Sequence, residues 1–218
     1  MVPPSSRMST TPIWPILVSQ QWDSLHDGDE YFQLTIYWTM PHEAVETPVA
    51  HLLYHDRQAR WVGDGLSEYS GYLVSKEWAV SVIKQRLTDL IGRIEQLLAS
   101  GYDAYNLIKK FQVRAGFRTA PLLYDQVQRA GYSVALAFWL DLTQRHGEEV
   151  IRAFWKRLSA QKTWCLIPGL ACVGPNARTA ARILTELTGE DIWAKLQRMD
   201  LQEVLDVLER AAQGLPEG

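Results

Sequence analysis

The residues best suited to do chemistry in this sequence are one histidine and two glutamates within the string HEAVE. His42, Glu43 and Glu46 follow Pro41, which favours the first turn of a helix. Residues four apart lie about 40° apart around a helix, so His42 and Glu46 share one face. An imidazole nitrogen and a carboxylate oxygen on one face are suitable ligands for a divalent metal ion. Glu43, beside them, is placed to act as a general base.

The segment 40–72 resembles the metal-binding region of the gluzincins, the zinc peptidases similar to thermolysin and the aminopeptidases. Those enzymes carry HExxH on a helix, where two histidines hold zinc and the glutamate activates a water molecule. Here Glu46 stands in place of the second histidine. The string RWVGDGLSEY looks like the family's RWxxEGLAEY segment, which supplies a third, glutamate ligand. The resemblance implies that Asp64 is the third ligand and that Glu68 orients a ligand by hydrogen bonding.

A second stretch extends the resemblance toward the C-terminus. The residues YSVALAFWLDLTQRHGEEVIRAFWKRL, which begin at Tyr132, resemble a helix pair of small gluzincins, and LTELTGEDIWAKLQ looks like the family's tail. In that family a tyrosine can point at the metal, which implies that Tyr132, or in second place Tyr124, donates a hydrogen bond to the oxyanion. A core position for Tyr132 and an exposed helical position for Glu68 are the open alternatives. The likeness spans roughly residues 38–200 and is strongest over 58–72.

The altered ligands leave three functions open. A His42, Glu46 and Asp64 set would hold a divalent cation, either zinc or, because carboxylates are harder ligands, manganese or iron. The first function is a metal-dependent, peptidase-like hydrolase that acts on a peptide or protein. The second is a degenerate peptidase that binds a peptide or protein partner without cleaving it. The third, least favoured, is a metal-free acid–base enzyme that uses the carboxylate cluster, with no cofactor.

A rival pair of histidines occurs in the string HLLYH. His51 and His55 lie about 180° and 220° from His42 around the same helix, so they face the opposite side. Leu52 also stands where the general base would be needed. We therefore expect His51 and His55 to lie at the helix end, either on a solvated face or behind the ligands in a supporting position.

Composition and charge exclude several classes of protein. The 218 residues are 47% hydrophobic, enough for one sizeable core, and we expect residues 13–218 to form a single domain. The net charge of −3 argues against nucleic acid as a partner. No apolar run is long enough to span a bilayer, so we expect no membrane partner. Residues 1–12 lack the pattern of a signal peptide, which predicts a disordered leader and a cytoplasmic protein. No pattern predicts an oligomeric state.

These residues are expected on an α+β, mostly α fold: a short N-terminal β segment followed by a gluzincin-like helical bundle. Segments 16–23 and 31–38 are predicted strands, the second because apolar and polar residues alternate along it. The alternative for 31–38 is a helix that begins early, which would also bury its aromatic residues. Cys165 and Cys172 are expected in a loop, as buried thiols or, less favoured, a disulfide. The nine tryptophans are expected in the core. Helical periodicity predicts helices over 65–74, 77–100, 103–112, 120–146, 148–160, 176–188 and 190–211.

Overall fold

A computed structural model describes residues 30–53, 56–109, 121–162, 164–167 and 171–216. Several predictions fall outside these residues: the disordered leader, the first strand and the position of His55. Within part of the described chain only the backbone is placed, namely residues 30–31, 57, 121–125, 164–167 and 171–173.

The described chain is mostly helical, as the sequence predicted. None of the described helices is both long and apolar enough to cross a membrane. The helices are α1 (Glu30–Leu34), a π-helix (Thr35–Thr39), α2 (Met40–Leu52), a 3-10 turn (Arg57–Ala59), α3 (Arg60–Trp78), α4 (Val80–Ala99), α5 (Pro121–His146), α6 (Glu149–Ser159), α7 (Ala177–Thr188), α8 (Ile192–Gln197) and α9 (Leu201–Gln213). The strands are β1 (Ala104–Tyr105), β2 (Trp164–Ile167), β3 (Ala171–Val173) and β4 (Met199–Asp200).

The predicted strand over residues 31–38 is wrong, because this segment is helical. Helix α1 runs directly into the π-helix and then into α2, with the Met40 amide bonded to the Thr35 carbonyl five residues back. Along the alternating apolar positions Trp38 is fully buried, whereas Leu34 and Ile36 are only half-buried. A helix satisfies its backbone internally, and no strand pairs with this segment within the described residues. The extra residue in the π turn directs Trp38 into the core.

Two serines of α3 hold α2 in position through hydrogen bonds at and near Pro41. Proline lacks the amide that would bond to the Tyr37 carbonyl one turn earlier. The Ser75 hydroxyl on α3 donates to that carbonyl at 2.9 Å. Ser70, also on α3, donates to the Pro41 carbonyl at 2.9 Å. These two serines therefore set the position of the helix that carries His42.

Helix α3 is the centre of the fold, and glycines let its neighbours approach closely. A Cβ at Gly65 would lie 2.5 Å from the indole of Trp139 on α5. A Cβ at Gly71 would lie 3.0 Å from the indole of Trp38. The Trp139 indole also donates to the Trp61 carbonyl at 3.3 Å. Because α3 is enclosed on both sides there, its acidic residues Asp64 and Glu68 are buried.

Two helix boundaries follow the predicted glycines, and two segments differ from prediction. Gly101 and Gly147 end α4 and α5 with φ of 84° and 77°, which glycine adopts readily. The predicted helix over 103–112 is wrong in its described part, which contains β1 and a turn. The predicted helix over 190–211 is interrupted by β4, which pairs with β1 in antiparallel register, Ala104 opposite Asp200.

The predicted cysteine loop is instead a β-hairpin. Strands β2 and β3 pair in antiparallel register, and Cys165 lies opposite Cys172 in the backbone. The cysteine side chains lie outside the described part of the structure, so the predictions of thiols or a disulfide stay predictions.

Candidate metal centre

The candidate site is built by three helices that pack side by side. Helix α2 carries His42, Glu43 and Glu46, the buried helix α3 carries Asp64 and Glu68, and α4 faces α3. The i, i+4 spacing places His42 near Glu46 and, separately, Asp64 on the same side of α3 as Glu68. The site therefore lies where α2 crosses the acidic face of α3.

His42 lies between two carboxylates, each near one ring nitrogen. Its Nε2 is 3.3 Å from Oε2 of Glu46, and its Nδ1 is 3.4 Å from Oε1 of Glu68. The imidazole is only 13% exposed and Glu68 only 2% exposed, so the ring orientation is fixed by buried partners. A histidine that holds a metal through one nitrogen commonly donates the other N–H to a carboxylate. The contact with Glu68 has the form that the sequence resemblance implied.

Burial alone would lower the pKa of His42, but the neighbouring carboxylates outweigh it. Hydrogen bonds to Glu46 and Glu68, together with their negative charges, raise the pKa of His42 to about 9. In the metal-free protein at neutral pH the ring is therefore an imidazolium. A cation bound at Nε2 would have to displace that proton.

The two glutamates that contact His42 are held in the ionised form. The hydrogen bond from His42 lowers the pKa of Glu46 more than partial burial raises it. Burial would raise the pKa of Glu68, but His42 and Arg86 together lower it below the usual range. Both carboxylates are therefore available as acceptors near neutral pH.

Glu68 is also bound by an arginine that the sequence analysis did not identify. One terminal nitrogen of Arg86, on α4, lies 3.0 Å and 3.1 Å from the two carboxylate oxygens. The guanidinium carbon also lies 5.4 Å from the centroid of the Trp38 ring. The π-helix thus places an aromatic face beside the arginine that neutralises Glu68.

Asp64 contacts a different cation. Arg60, one turn earlier on α3, places a terminal guanidinium nitrogen 3.3 Å from Oδ1 of Asp64. Asp64 is 2% exposed and, with Glu46 and Arg60, lines a cleft of about 250 Å³. Its role as third metal ligand stays a prediction. The Arg60 guanidinium would compete with a metal ion for the Asp64 carboxylate.

Glu43 and Tyr132 face a second cleft, on the other side of His42. This cleft is lined by His42, Glu43, Glu68 and Tyr132, among other residues. Burial raises the pKa of Tyr132, and so do the carboxylates of Asp64, Glu46 and Glu68. The Arg60 guanidinium lowers it. The phenol is therefore protonated at neutral pH and able to donate a hydrogen bond.

Within the described residues, one group of side chains is close enough to hold a metal ion. It consists of His42, Glu43 and Glu46, whose ligand atoms all lie within 4.8 Å of one another. Asp64 is not part of that group. His51 is exposed at the end of α2, as predicted for the rival pair.

The residues that sequence reasoning missed are arginines, and α4 carried a pattern that pointed to one of them. Arg86 follows Ile83 by three positions and precedes Leu90 by four, so it lies on the apolar stripe that faces the core. A charge on that stripe needs a buried partner. Arg60 shares the i, i+4 spacing with Asp64, which predicts an ion pair on one helix.

No protein-family model, curated protein or solved structure matches this chain. The gluzincin resemblance therefore rests on the sequence motifs alone.

Proposed function

We propose that this protein is a metal-dependent, peptidase-like hydrolase in which His42 and Glu46 bind a divalent cation. The observation that supports the proposal most strongly is the placement of His42 between two carboxylates. Nε2 faces Glu46, the candidate ligand, while Nδ1 is oriented by the buried Glu68. That combination of a ligand nitrogen and an orienting carboxylate is typical of histidine–metal sites.

The donor set suits zinc, manganese or iron. One imidazole nitrogen and two or three carboxylate oxygens fit these ions, and additional carboxylates favour the harder ones. When bound, such an ion supplies a Lewis acid that polarises a carbonyl and lowers the pKa of a coordinated water. Glu43 takes up the proton of the attacking water and returns it to the leaving amine. Tyr132 donates a hydrogen bond to the oxygen on which negative charge develops.

Glutamine in place of Glu43 tests this assignment directly. Glu43→Gln keeps the size and polarity of an exposed side chain, so folding and metal binding are expected to persist while hydrolysis of a peptide library is lost. Glu95→Gln, an exposed glutamate on α4, is the matched control and should keep parental turnover. A Glu43→Gln variant that hydrolyses peptides as fast as the parent contradicts the role of Glu43.

A second function, binding a peptide without cleavage, is favoured by the arginines. Arg60 is paired with Asp64, and Arg86 is paired with Glu68. These guanidinium groups already neutralise part of the negative charge that a metal ion would otherwise neutralise. In that case the fold retains a peptide site with no hydrolytic chemistry. Saturable peptide binding by the parent, with no turnover after incubation with zinc, manganese or iron, would favour this second function.

A further inference from the structure

The cleft on the Glu43 side of His42 carries an excess of positive charge. It has a volume of about 370 Å³ and its charged lining includes Arg86, Arg93 and Arg129 against Glu43 and Glu68. His42 also lines it. Guanidinium groups gathered in a cleft focus a positive potential that attracts anions.

The arginines of this cleft differ in how they are neutralised. Arg86 is bound to both oxygens of Glu68. Arg93 follows Arg86 by seven positions on α4, so both project from nearly the same face. Arg93 is half-buried, yet it forms no hydrogen bond or ion pair with any residue that the structure describes. Within the described part of the chain, Arg86 and Arg129 each have a bonding partner, whereas Arg93 has none.

The electrostatic surroundings of Arg93 agree with that placement. Burial is the main cause that lowers the pKa of Arg93, followed by repulsion from Arg86, whereas Asp89 and Glu68 raise it and Arg129 lowers it least. A guanidinium stays charged under these conditions, so its partial burial is a cost to the folded state. A bound anion would offset it.

We propose that this arginine cleft binds a carboxylate of a peptide substrate, with Arg93 as the principal contact. The inference rests on the proposed hydrolase function, which makes a peptide the ligand next to His42 and Glu43. A planar guanidinium binds a carboxylate through two parallel N–H donors. A peptide supplies such a carboxylate at its C-terminus or on an acidic side chain.

Calorimetry on chelator-treated protein tests the proposal with three acetylated tetrapeptides at fixed ionic strength. The first is tetraalanine with a free C-terminal carboxylate, the second is its C-terminal amide, and the third is that amide with one alanine replaced by glutamate. We expect one or both acidic peptides to bind at least tenfold more tightly than the neutral amide. Which acidic peptide binds identifies the carboxylate as terminal or side-chain.

Two variants connect that binding to the cleft. Arg93→Gln is expected to lose the preference for the acidic peptide and, because a half-buried charge is removed, to melt at or above the parental temperature without ligand. Arg152→Gln removes an equal charge from an exposed, 71% accessible position on α6 and should keep the preference. Equal affinity of the parent for the acidic and neutral peptides overturns the proposal. So does tight binding of inorganic phosphate alone, or an Arg93→Gln variant that keeps the preference.

The outcome is separable from that of the proposed hydrolase function. Binding is measured without metal and without turnover, and Arg93→Gln is expected to leave metal affinity unchanged. Failure of the hydrolase proposal therefore shows in metal content and turnover, whereas failure of the carboxylate proposal shows only in peptide preference.

Discussion

At the residue scale, the account depends on which side chains neutralise the acidic face of α3. Local helix geometry made the contact between His42 and Glu46 predictable, because four residues return the chain to the same face. The resemblance implied that Glu68 orients a ligand, but not which one, and the structure places Glu68 beside Nδ1 of His42. The contact between Glu68 and Arg86 depends on the approach of α4, so the motif alone could not predict it.

Arg60 offers a test of whether Asp64 takes part in cation binding. Arg60→Gln removes the guanidinium that lies 3.3 Å from Asp64. If Asp64 is a ligand, the loss of the competing charge should raise affinity for manganese or zinc on the order of tenfold. Calorimetric titration of the variant and the parent measures the change.

Arg182→Gln is the matched control, since Arg182 is exposed and pairs with Glu186 on α7. It should leave metal affinity at the parental value. Equal affinity in the Arg60→Gln variant as well would assign Asp64 a structural role as the partner of Arg60.

At the element scale, the position of α3 is set by glycines that admit two indoles. Trp139 approaches at Gly65 and Trp38 at Gly71. This close approach brings α2 near enough to α3 for His42 to reach Glu68. Glycines at these positions therefore support the site through helix packing.

Alanine at Gly65 should destabilise the fold, whereas alanine at Gly92 should not. The new Cβ at position 65 would lie 2.5 Å from the Trp139 ring, and overpacking of this kind costs about 2 kcal/mol. At Gly92 nothing lies within 4 Å, and alanine in a helix should stabilise by about 0.5 to 1 kcal/mol. Urea unfolding of both variants compares the two sites. Equal stability of Gly65→Ala and Gly92→Ala would contradict the packing described for α3.

Sequence reasoning predicted correctly the helix ends that depend only on nearby residues in the chain. Gly101 and Gly147 end helices through their own backbone conformation, so both ends were predictable. The short strands β1 and β4 depend on pairing between Ala104 and Asp200, which no local pattern reveals. The segment 31–38 resembles a strand in sequence because Phe32, Leu34, Ile36 and Trp38 occupy every second position, although α1 and the π-helix contain them.

At the scale of the whole molecule, Asp141 joins the long helix α5 to the C-terminal elements. Its Oδ2 accepts from Lys195 on α8 at 2.5 Å and from Arg145 at 2.8 Å. Burial would raise the pKa of Asp141, but these hydrogen bonds and charges lower it below the usual range. The carboxylate therefore stabilises the fold in its ionised form.

This lowered pKa predicts how stability depends on pH. The contribution of Asp141 is fully present above its unfolded pKa of about 3.9 and is lost as pH falls through the lower folded value. Asp141→Asn should be less stable than the parent by about 1 kcal/mol near neutral pH, and the difference should shrink below about pH 4. Urea unfolding of the parent and Asp141→Asn, near neutral pH and below about pH 4, measures this difference in stability. Asp103→Asn, at a side chain 88% exposed, is the control and should show no such difference. A pH-independent difference for Asp141→Asn would contradict the account.

The central claim, a divalent cation at His42 and Glu46, is tested most directly by metal content. The parent is purified without added metal or chelator, and its metal content is measured by elemental mass spectrometry. The His42→Gln variant and the exposed control His51→Gln are measured in the same way. The account predicts about one transition-metal ion per chain in the parent and in His51→Gln, and loss of that ion in His42→Gln. A parent without bound metal that also takes up no zinc, manganese or iron on titration would contradict it.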